Sequence, residues 1–539
     1  MLLIHGFTDW QEPDACRISA RTFAGFPDAF SHGEQVIPEI LDAFCAWPLA
    51  MHVMTGSGLF FSLNSHRFGR ENAARTAIFW VVYCHKWTSL LRYLIIGIGY
   101  NYICHRSIMI VGKTASDIFE QIRLRVQSGE LCPGDTLPSV RDLALALDVN
   151  RNTVASAYKR LTDAGIAESR GRNGTVIRDN AAPAQQEGTP PGLALIDLAG
   201  GNPSPVLLPD MSIALSRIQR KPRLYGEPPV GDEIGRYGRA WFAEDIDVPF
   251  ELTLSSGAVD AVERILCSYL IGGDRVAVED PCFLSSISTI RNNRFLPVGV
   301  GMDEEGPDTG LLAEQLASGA QAVIITPRAH NPTGWGLSEQ RAGEIRELLI
   351  QYPQVLVIVD DHFSLLSTCR YHHVIPPTTR HWALVRSTSK FLGPDLRLAF
   401  VASDSETAMR LQQRLNAGTN WVSHILQDMV LATLQSAELS ASIQQAKEIY
   451  HSRRKVLLSA LADCGIEISS RHDGLNLWVP LRGQSAPVVM QMAQRGWLVR
   501  GGEAFGLSGD CNGLRITVSD LKEESAGIFA ETLAALLKH

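Results

Sequence analysis

No two cysteines in this chain stand at C-x-x-C spacing, and none falls with histidines at the intervals of a metal site, although there are ten cysteines in 539 residues. The pattern speaks against a disulfide scaffold and against a metal centre. It implies reduced thiols in a cytoplasmic protein, most of them acting as small buried hydrophobes. Also lacking is an unbroken apolar run of the ~20 residues that cross a bilayer. The longest candidate, residues 76–104, is interrupted by His85, Lys86 and Arg92, and no short cationic start leads into one apolar block as in a signal peptide. A membrane partner is therefore not expected. An excess of positive charge is missing too: the net charge is −8 and the pI about 6.0, which excludes indiscriminate coating of nucleic acid. Any contact with nucleic acid must come from a local basic face.

What is present is length and apolar content. At 539 residues and 45% hydrophobic, the chain is expected to form two or three folded units. Residues 1–108 stand apart, with four of the ten cysteines, four of the ten tryptophans and six of the fifteen histidines but no helical or strand period. Well-patterned sequence begins at Met109. The expectation is that 1–108 is an over-extended reading frame, with a membrane-associated or accessory segment as the rival.

Residues 109–179 read as a small α+β unit. Ile118, Ile122 and Val126 recur at helical spacing, and "SGELCPGDTLPS" then supplies the Gly and Pro that end the helix. Ser139 is placed to cap a second helix with Val140, Leu143, Ala144 and Leu147 on one face. Asn150 is placed to cap a third, with Val154, Ala157, Tyr158 and Leu161 as its apolar stripe. "AESRGRNGTVIRD" reads as two short strands around a glycine-containing tip. Three helices, the last two joined by a tight turn, and a two-stranded wing are the elements of a winged helix-turn-helix. Between Arg151 and Arg178 six Arg/Lys face two acids, a local +4 on an acidic protein. A solvated charged face is the ordinary meaning of such a run, but here it coincides with caps, turn and wing. Arg151, Asn152 and Thr153 at the start of the third helix are then candidates for base or phosphate contacts, and Arg172 for the minor groove. "LPSVRDLA" and "NRNTV" make this stretch resemble the heads of GntR-type bacterial regulators, and that resemblance adds Arg141 as a contact to a double-stranded DNA operator.

Residues 180–194, "NAAPAQQEGTPPGL" and its neighbour, carry Ala, Pro, Gln and Gly without period and read as a linker. From 195 to 539, short β-branched runs ("RVAVED", "AVIITP", "VLVIVDD", "ALVRSTS") alternate with amphipathic helical segments, the pattern of a doubly wound α/β domain that binds ligands at strand carboxyl ends. Lys390 in "STSKFLGPDLRLAF" follows one such run. A lysine there is ordinarily a solvated cation. Ser387 offers a hydroxyl, however, and Arg397 a planar fork suited to phosphate, so the stretch can anchor a phosphorylated carbonyl compound while Lys390 forms a Schiff base with it. Pyridoxal 5′-phosphate is such a compound. It needs further partners, and each has a candidate: Asp360 for the pyridinium nitrogen, Asn331 of "HNPTG" for the phenolate oxygen, Phe283 for the ring face, and the N–H groups of Gly257 and Ala258 for the phosphate. Taken singly these are a strand-end acid, a turn amide, a core aromatic and a helix start. Arg515 in "GLRITVSD" can grip a carboxylate or serve in a surface ion pair.

Taken together and in this order, these stretches resemble fold-type I aminotransferases, and head plus body resemble the MocR subfamily of GntR regulators. The resemblance implies Lys390 as the Schiff-base lysine, Arg397 and Ser387 at the phosphate, Arg515 at an effector carboxylate, and Tyr225 of "LYGEPPVG" reaching the phosphate of a partner subunit in a homodimer with shared sites. Two departures stand out. Asp-Asp-His, with His362, replaces the usual Asp-Asp-Tyr, and "GPDLR" puts the charge of Asp395 near Arg397. The function expected is a DNA-binding regulator that senses pyridoxal phosphate, or an amine or amino acid reacting with it, and controls vitamin B6 or amino-compound metabolism. An active aminotransferase with a DNA-binding appendage is the alternative, and a membrane-tethered regulator a third.

Overall fold

The computed structural model describes residues 50–53, 59–62 and 110–538, apart from 170, 172–173, 178–186, 191, 193, 219–221 and 508–510. The expectation about 1–108 lies almost wholly outside these residues. The exception is an antiparallel hairpin of β1 (Ala50–Val53) and β2 (Leu59–Ser62), part of the unit Met1–Met109. Everything below concerns Ile110–His539.

The head forms as the caps dictate. Helix Ala115–Gln127 opens on a capping box between Thr114 and Asp117, helix Val140–Leu147 on Ser139, and helix Arg151–Asp163 on Asn150. In each case a side-chain oxygen takes up an otherwise unpaired first-turn N–H. Ile118, Ile122, Val154, Ala157 and Leu161 are fully buried where the three helices meet. Tyr158 donates its hydroxyl to the Pro138 carbonyl at 2.8 Å, fixing the third helix to the turn before the second. The wing is β3 (Ala167–Ser169) paired antiparallel with β4 (Thr175–Ile177).

The body is built on an eight-stranded sheet. In chain order its strands are β6 (Glu251–Ser255), β7 (Arg275–Asp280), β8 (Leu296–Asp303), β9 (Gly306–Pro307), β10 (Ala320–Ile325), β11 (Leu356–Asp360), β12 (Trp382–Ser387) and β13 (Ala399–Ser403). Across the sheet the order is β6-β13-β12-β11-β10-β7-β8-β9. The four runs legible in the sequence form β7, β10, β11 and β12, mutual neighbours paired in parallel. The sheet is not wholly parallel, since β13 runs antiparallel to both β12 and β6. Side chains alternate between two buried layers: Val357 and Val359 of β11 face one, Leu356 and Ile358 the other. Burial on both faces is what the near-continuous apolar runs require.

A smaller subdomain carries β14 (Asn476–Pro480), β16 (Arg500–Gly501) and β17 (Gly513–Thr517) as an antiparallel sheet. β5 (Ile196–Asp197) pairs with β15 (Trp497–Leu498), so the chain just after the linker is stitched onto this subdomain. Its core unites Leu198 with Leu477, Ile516 and the helix Glu523–Leu537.

Among the described residues six cysteines are free thiols, and only Cys282 is buried. The expectation that most cysteines pack as small hydrophobes holds for Cys282 and for the half-buried Cys267, Cys464 and Cys511, which pack against core clusters, and fails for Cys132 and Cys369, which are exposed. No described helix is long and apolar enough to cross a membrane.

Candidate functional site

Four segments that follow sheet strands supply the candidate site. Phe283, half-buried, precedes the helix after β7. Asn331, 3% exposed, lies in the turn after β10. Asp360 ends β11, and Ser387 ends β12 just ahead of Lys390. The register aligns Asp360 with Val385 on the neighbouring strand, so the carboxylate and the loop carrying Lys390 emerge from the same end of the sheet.

Asp360 is 8% exposed, and its Oδ1 is a buried acceptor without a hydrogen-bond donor. Burial, reinforced by the charges of Asp361 and Glu279, pushes its carboxyl up to about 7, while Lys390 pulls the other way. A buried acceptor left open at a strand end fits a cationic N–H on a ligand. The adjacent Asp361 is already committed to the framework. It takes a double hydrogen bond from Arg328, 2.7 Å at each oxygen, and one from Arg386 at 3.0 Å. This buried pairing leaves Asp360 as the acid of the pair that faces the site. His362, standing where the family carries tyrosine, has its Nδ1 3.9 Å from Asp360 Oδ1. Burial and the Lys390 charge press its imidazole down to about 4, so it is neutral at physiological pH.

Gly257 begins the helix Ala258–Tyr269 with a φ of 102° and no side-chain cap. An added Cβ would fall 2.7 Å from Arg397 Nη2, so backbone and guanidinium make a close, positively charged cradle. Arg397 itself holds φ at 28°, a region L-residues seldom adopt and one that often marks functional strain. Ser387 shares a 3.1 Å hydroxyl contact with Ser389 beside this cradle in sequence. Asp395 is exposed on the turn ahead of Arg397. The open acceptor of Asp360 suits a ring N–H, and the Gly257–Arg397 cradle suits an anionic group.

Lys390 donates its Nζ to the Gly201 carbonyl at 2.7 Å. Burial holds its amine below the ordinary lysine value, partly offset by Glu187. Arg515 is fully buried and forms an ion pair within the chain, with linker residue Glu187: Nη1 to Oε1 is 2.6 Å and Nη2 to Oε2 is 2.8 Å. Asn331 joins the same group, accepting from Arg515 at 2.9 Å and donating to Glu187 at 2.9 Å. Burial alone would raise the Glu187 carboxyl, but the charge and hydrogen bonds of Arg515 outweigh it and hold it below the usual range. Tyr225 is 85% exposed, its ring 5.6 Å from Trp421.

On the head, Arg141, Arg151 and Asn152 are exposed and Thr153 half-buried. The last three open the third helix, where Asn150 accepts the Asn152 N–H at 2.9 Å. Arg160, one of the six cations counted in this stretch, lies 4.7 Å over the Phe119 ring and so also serves packing. Arg172 lies outside the described residues.

Sequence reasoning missed Glu187, the Gly201 carbonyl, and a buried pair between His330 Nε2 and Glu279 Oε2 at 3.3 Å. Glu187 had one available signal. It is the only acid between Asn180 and Ile196, in a stretch otherwise without charge. Among the described residues no group of three His, Cys, Asp or Glu stands together as a metal site.

A winged head followed by a body of this topology is a regulator's head on a transaminase fold. Residues 114–177 match the bacterial regulatory proteins of the gntR family, and residues 240–533 match aminotransferase class I and II. The chain is 51% identical over 422 residues to the vitamin B6 salvage pathway transcriptional repressor PtsJ of Salmonella typhimurium, a span covering 78% of this chain and 98% of that protein. It is 28% identical to the 2-aminoadipate transaminase of Thermus thermophilus, over 64% of this chain and 90% of that enzyme. The crystal structure of the Pyrococcus horikoshii kynurenine aminotransferase matches with a TM-score of 0.59 at 22% identity, over 64% of this chain and 91% of that one, a likeness of fold. The chain belongs to the MocR-type transcriptional regulators, in which a GntR DNA-binding head is joined to an aminotransferase-like body.

Proposed function

We propose that this regulator binds pyridoxal 5′-phosphate in its body and that the bound state alters how its head engages an operator near genes of vitamin B6 metabolism. The observation that carries the reading is the buried, unpaired Oδ1 of Asp360 at the same sheet end as Lys390. A core with no ligand to serve has no reason to retain such an acceptor, because an unsatisfied buried polar atom costs on the order of 1–3 kcal/mol.

Pyridoxal phosphate, when bound, supplies an electrophilic aldehyde that amines attack. Lys390 supplies the amine: burial lowers its proton affinity, enlarging the neutral, nucleophilic fraction. Asp360 accepts the ring N–H and, once paired with that cation, stays ionised. Gly257, Ala258, Ser387 and Arg397 hold the phosphate with backbone N–H groups, a hydroxyl and a guanidinium. Asn331 and His362 flank the ring's polar edge, Phe283 covers its face, and Arg515 takes the carboxylate of an amino-acid effector. Tyr225 completes the phosphate site of a second copy in a homodimer. In the head, Arg141 and Arg151 neutralise DNA phosphates, while Asn152 and Thr153 meet bases or phosphates. The identity of the relative over 98% of its length supports vitamin B6 salvage as the controlled pathway. A regulator acting on DNA in a bacterium works in the cytoplasm.

The same residues would serve an active aminotransferase, and with Glu187 seated on Arg515 an amino-acid substrate or effector alike must displace it. The test is the affinity of the full chain for its own upstream DNA at fixed salt, with and without pyridoxal phosphate, for the parent protein and Lys390→Ala. The expected outcome is a cofactor-dependent change of several-fold in the parent that Lys390→Ala abolishes. Identical affinity in all four cases would refute a sensing role.

A further inference from the structure

The linker reaches into the body and occupies the arginine that a ligand carboxylate would need. Glu187 meets Arg515 in a two-point fork, the geometry of the strongest carboxylate–guanidinium pairs, and the guanidinium has no exposure to solvent. A buried guanidinium without a counter-charge is strongly disfavoured, so Arg515 always requires a carboxylate, whether Glu187's or a ligand's. Two further ties hold the same stretch: the Gly188 N–H donates to the Gly200 carbonyl at 2.8 Å, and the Thr189 hydroxyl donates to Asp197. Gly201 closes the arrangement. Its carbonyl accepts from Lys390, its φ is 66°, and a Cβ there would collide with Glu187 Oε2 and lie 2.9 Å from Arg515 Nη2. A glycine at this position is therefore required both by the backbone and by the docked linker. The seated glutamate holds Arg515 directly, and the Gly201 beside it accepts from Lys390.

Residues 178–186 run from the end of the wing at Ile177 to Glu187, so the docked stretch is the body's end of the only covalent tie to the head. We propose that Glu187 is an internal competitor for the Arg515 site: a small carboxylate enters against Arg515 only as Glu187 leaves, and its departure releases residues 187–190 from the body. The ligand class is a small molecule with one carboxylate, an α-amino acid or a simple carboxylic acid. This rests on the reading of the body as a small-ligand site, but not on uptake of the cofactor. A tethered competitor acts at an effective concentration in the millimolar range, so free carboxylates bind weakly to the parent and more tightly once the tether's charge is gone.

The experiment uses the full chain without added cofactor and propionate as the probe, with L-alanine as a second arm. Hydrogen exchange is followed in the peptide spanning 187–190, and binding is measured by calorimetry in the parent, Glu187→Gln and Glu187→Ala. The expected results are faster exchange at the Gly188 amide, whose bond to the Gly200 carbonyl opens as propionate saturates, and affinity at least about tenfold higher in the variants. Tighter binding of L-alanine than propionate would identify the source as an amino acid, and equal binding a simple acid. Saturation that leaves exchange at 187–190 unchanged in the parent overturns the proposal without reference to any variant. So does equal affinity, or absence of binding, in a Glu187 variant that keeps the parent's melting transition. Failure of the cofactor reading shows separately, as absent uptake of pyridoxal phosphate by the parent, and leaves the propionate result standing.

Discussion

The guanidinium of Arg397 fills the space that a side chain on Gly257 would take, with Nη2 2.7 Å from the position of an added Cβ. Gly257 also holds φ at 102° and ψ at 166°, a region essentially confined to glycine that costs another residue about 1–3 kcal/mol. Gly257→Ala therefore strains the backbone and displaces Arg397 from the helix start, while the sheet behind it stays packed. The expected outcome is a loss of about tenfold or more in affinity for pyridoxal phosphate, read by absorbance titration, with the folded state retained by circular dichroism. Unchanged affinity would mean that the cradle does not hold the phosphate.

Asp360 gives the cofactor-free protein a pH dependence whose sign follows from its raised value. Its carboxyl titrates near 7 in the fold against an ordinary 3.8, so its contribution to stability is complete below about pH 4 and lost as pH rises through 7. Asp360→Asn removes that loss. Without cofactor, the variant should melt several degrees above the parent at pH 8 and show no such gain at pH 4. With pyridoxal phosphate the order reverses above pH 7, because the ring cation stabilises an ionised aspartate and offers less to an amide. Scanning calorimetry at the two pH values checks both halves, and parallel pH profiles for parent and variant would exclude Asp360 as the group that pairs with the ring.

The two parts of the chain differ in how far local sequence specifies them. In the head, Ser139 and Asn150 cap the helices they precede and the stripe Val154, Ala157, Tyr158 and Leu161 is buried, because caps and helical periodicity are encoded within a few residues. In the body, β7, β10, β11 and β12 are apolar on both faces and bounded by turns, which made them visible as runs; Asp360, Asn331 and Lys390 were then found at their ends. The antiparallel β13 carries the same kind of apolar run, and nothing in its residues states its direction. Asp361 was legible as an acid but not as the hub of Arg328 and Arg386, since those partners meet only when β10, β11 and β12 align. Glu187 was hidden most completely. Its partner Arg515 is 328 positions away, and a linker's composition reports freedom from helix and strand without saying where the chain is held.

Tyr225 is 85% exposed, and Leu224 beside it is 70% exposed, a pair of large apolar side chains facing away from their own core. Isolated exposed apolar residues are ordinary, but the shared-site homodimer proposed above requires this tyrosine to act across an interface. Mixed dimers test this directly, with Tyr225→Phe in one subunit and Lys390→Ala in the other. If the tyrosine acts in trans, one of the two sites has both an intact lysine and an intact tyrosine, and half of the cofactor sites keep the parent's affinity and remain trappable by borohydride. If it acts within its own chain, the first subunit lacks the tyrosine and the second the lysine, so no site binds as the parent does. Intact-mass analysis after reduction assigns the adduct to the subunit that keeps Lys390, the only one able to carry it in either case. Titration of that subunit then shows whether its affinity equals the parent's or that of the Tyr225→Phe homodimer, and the latter result would rule out shared sites.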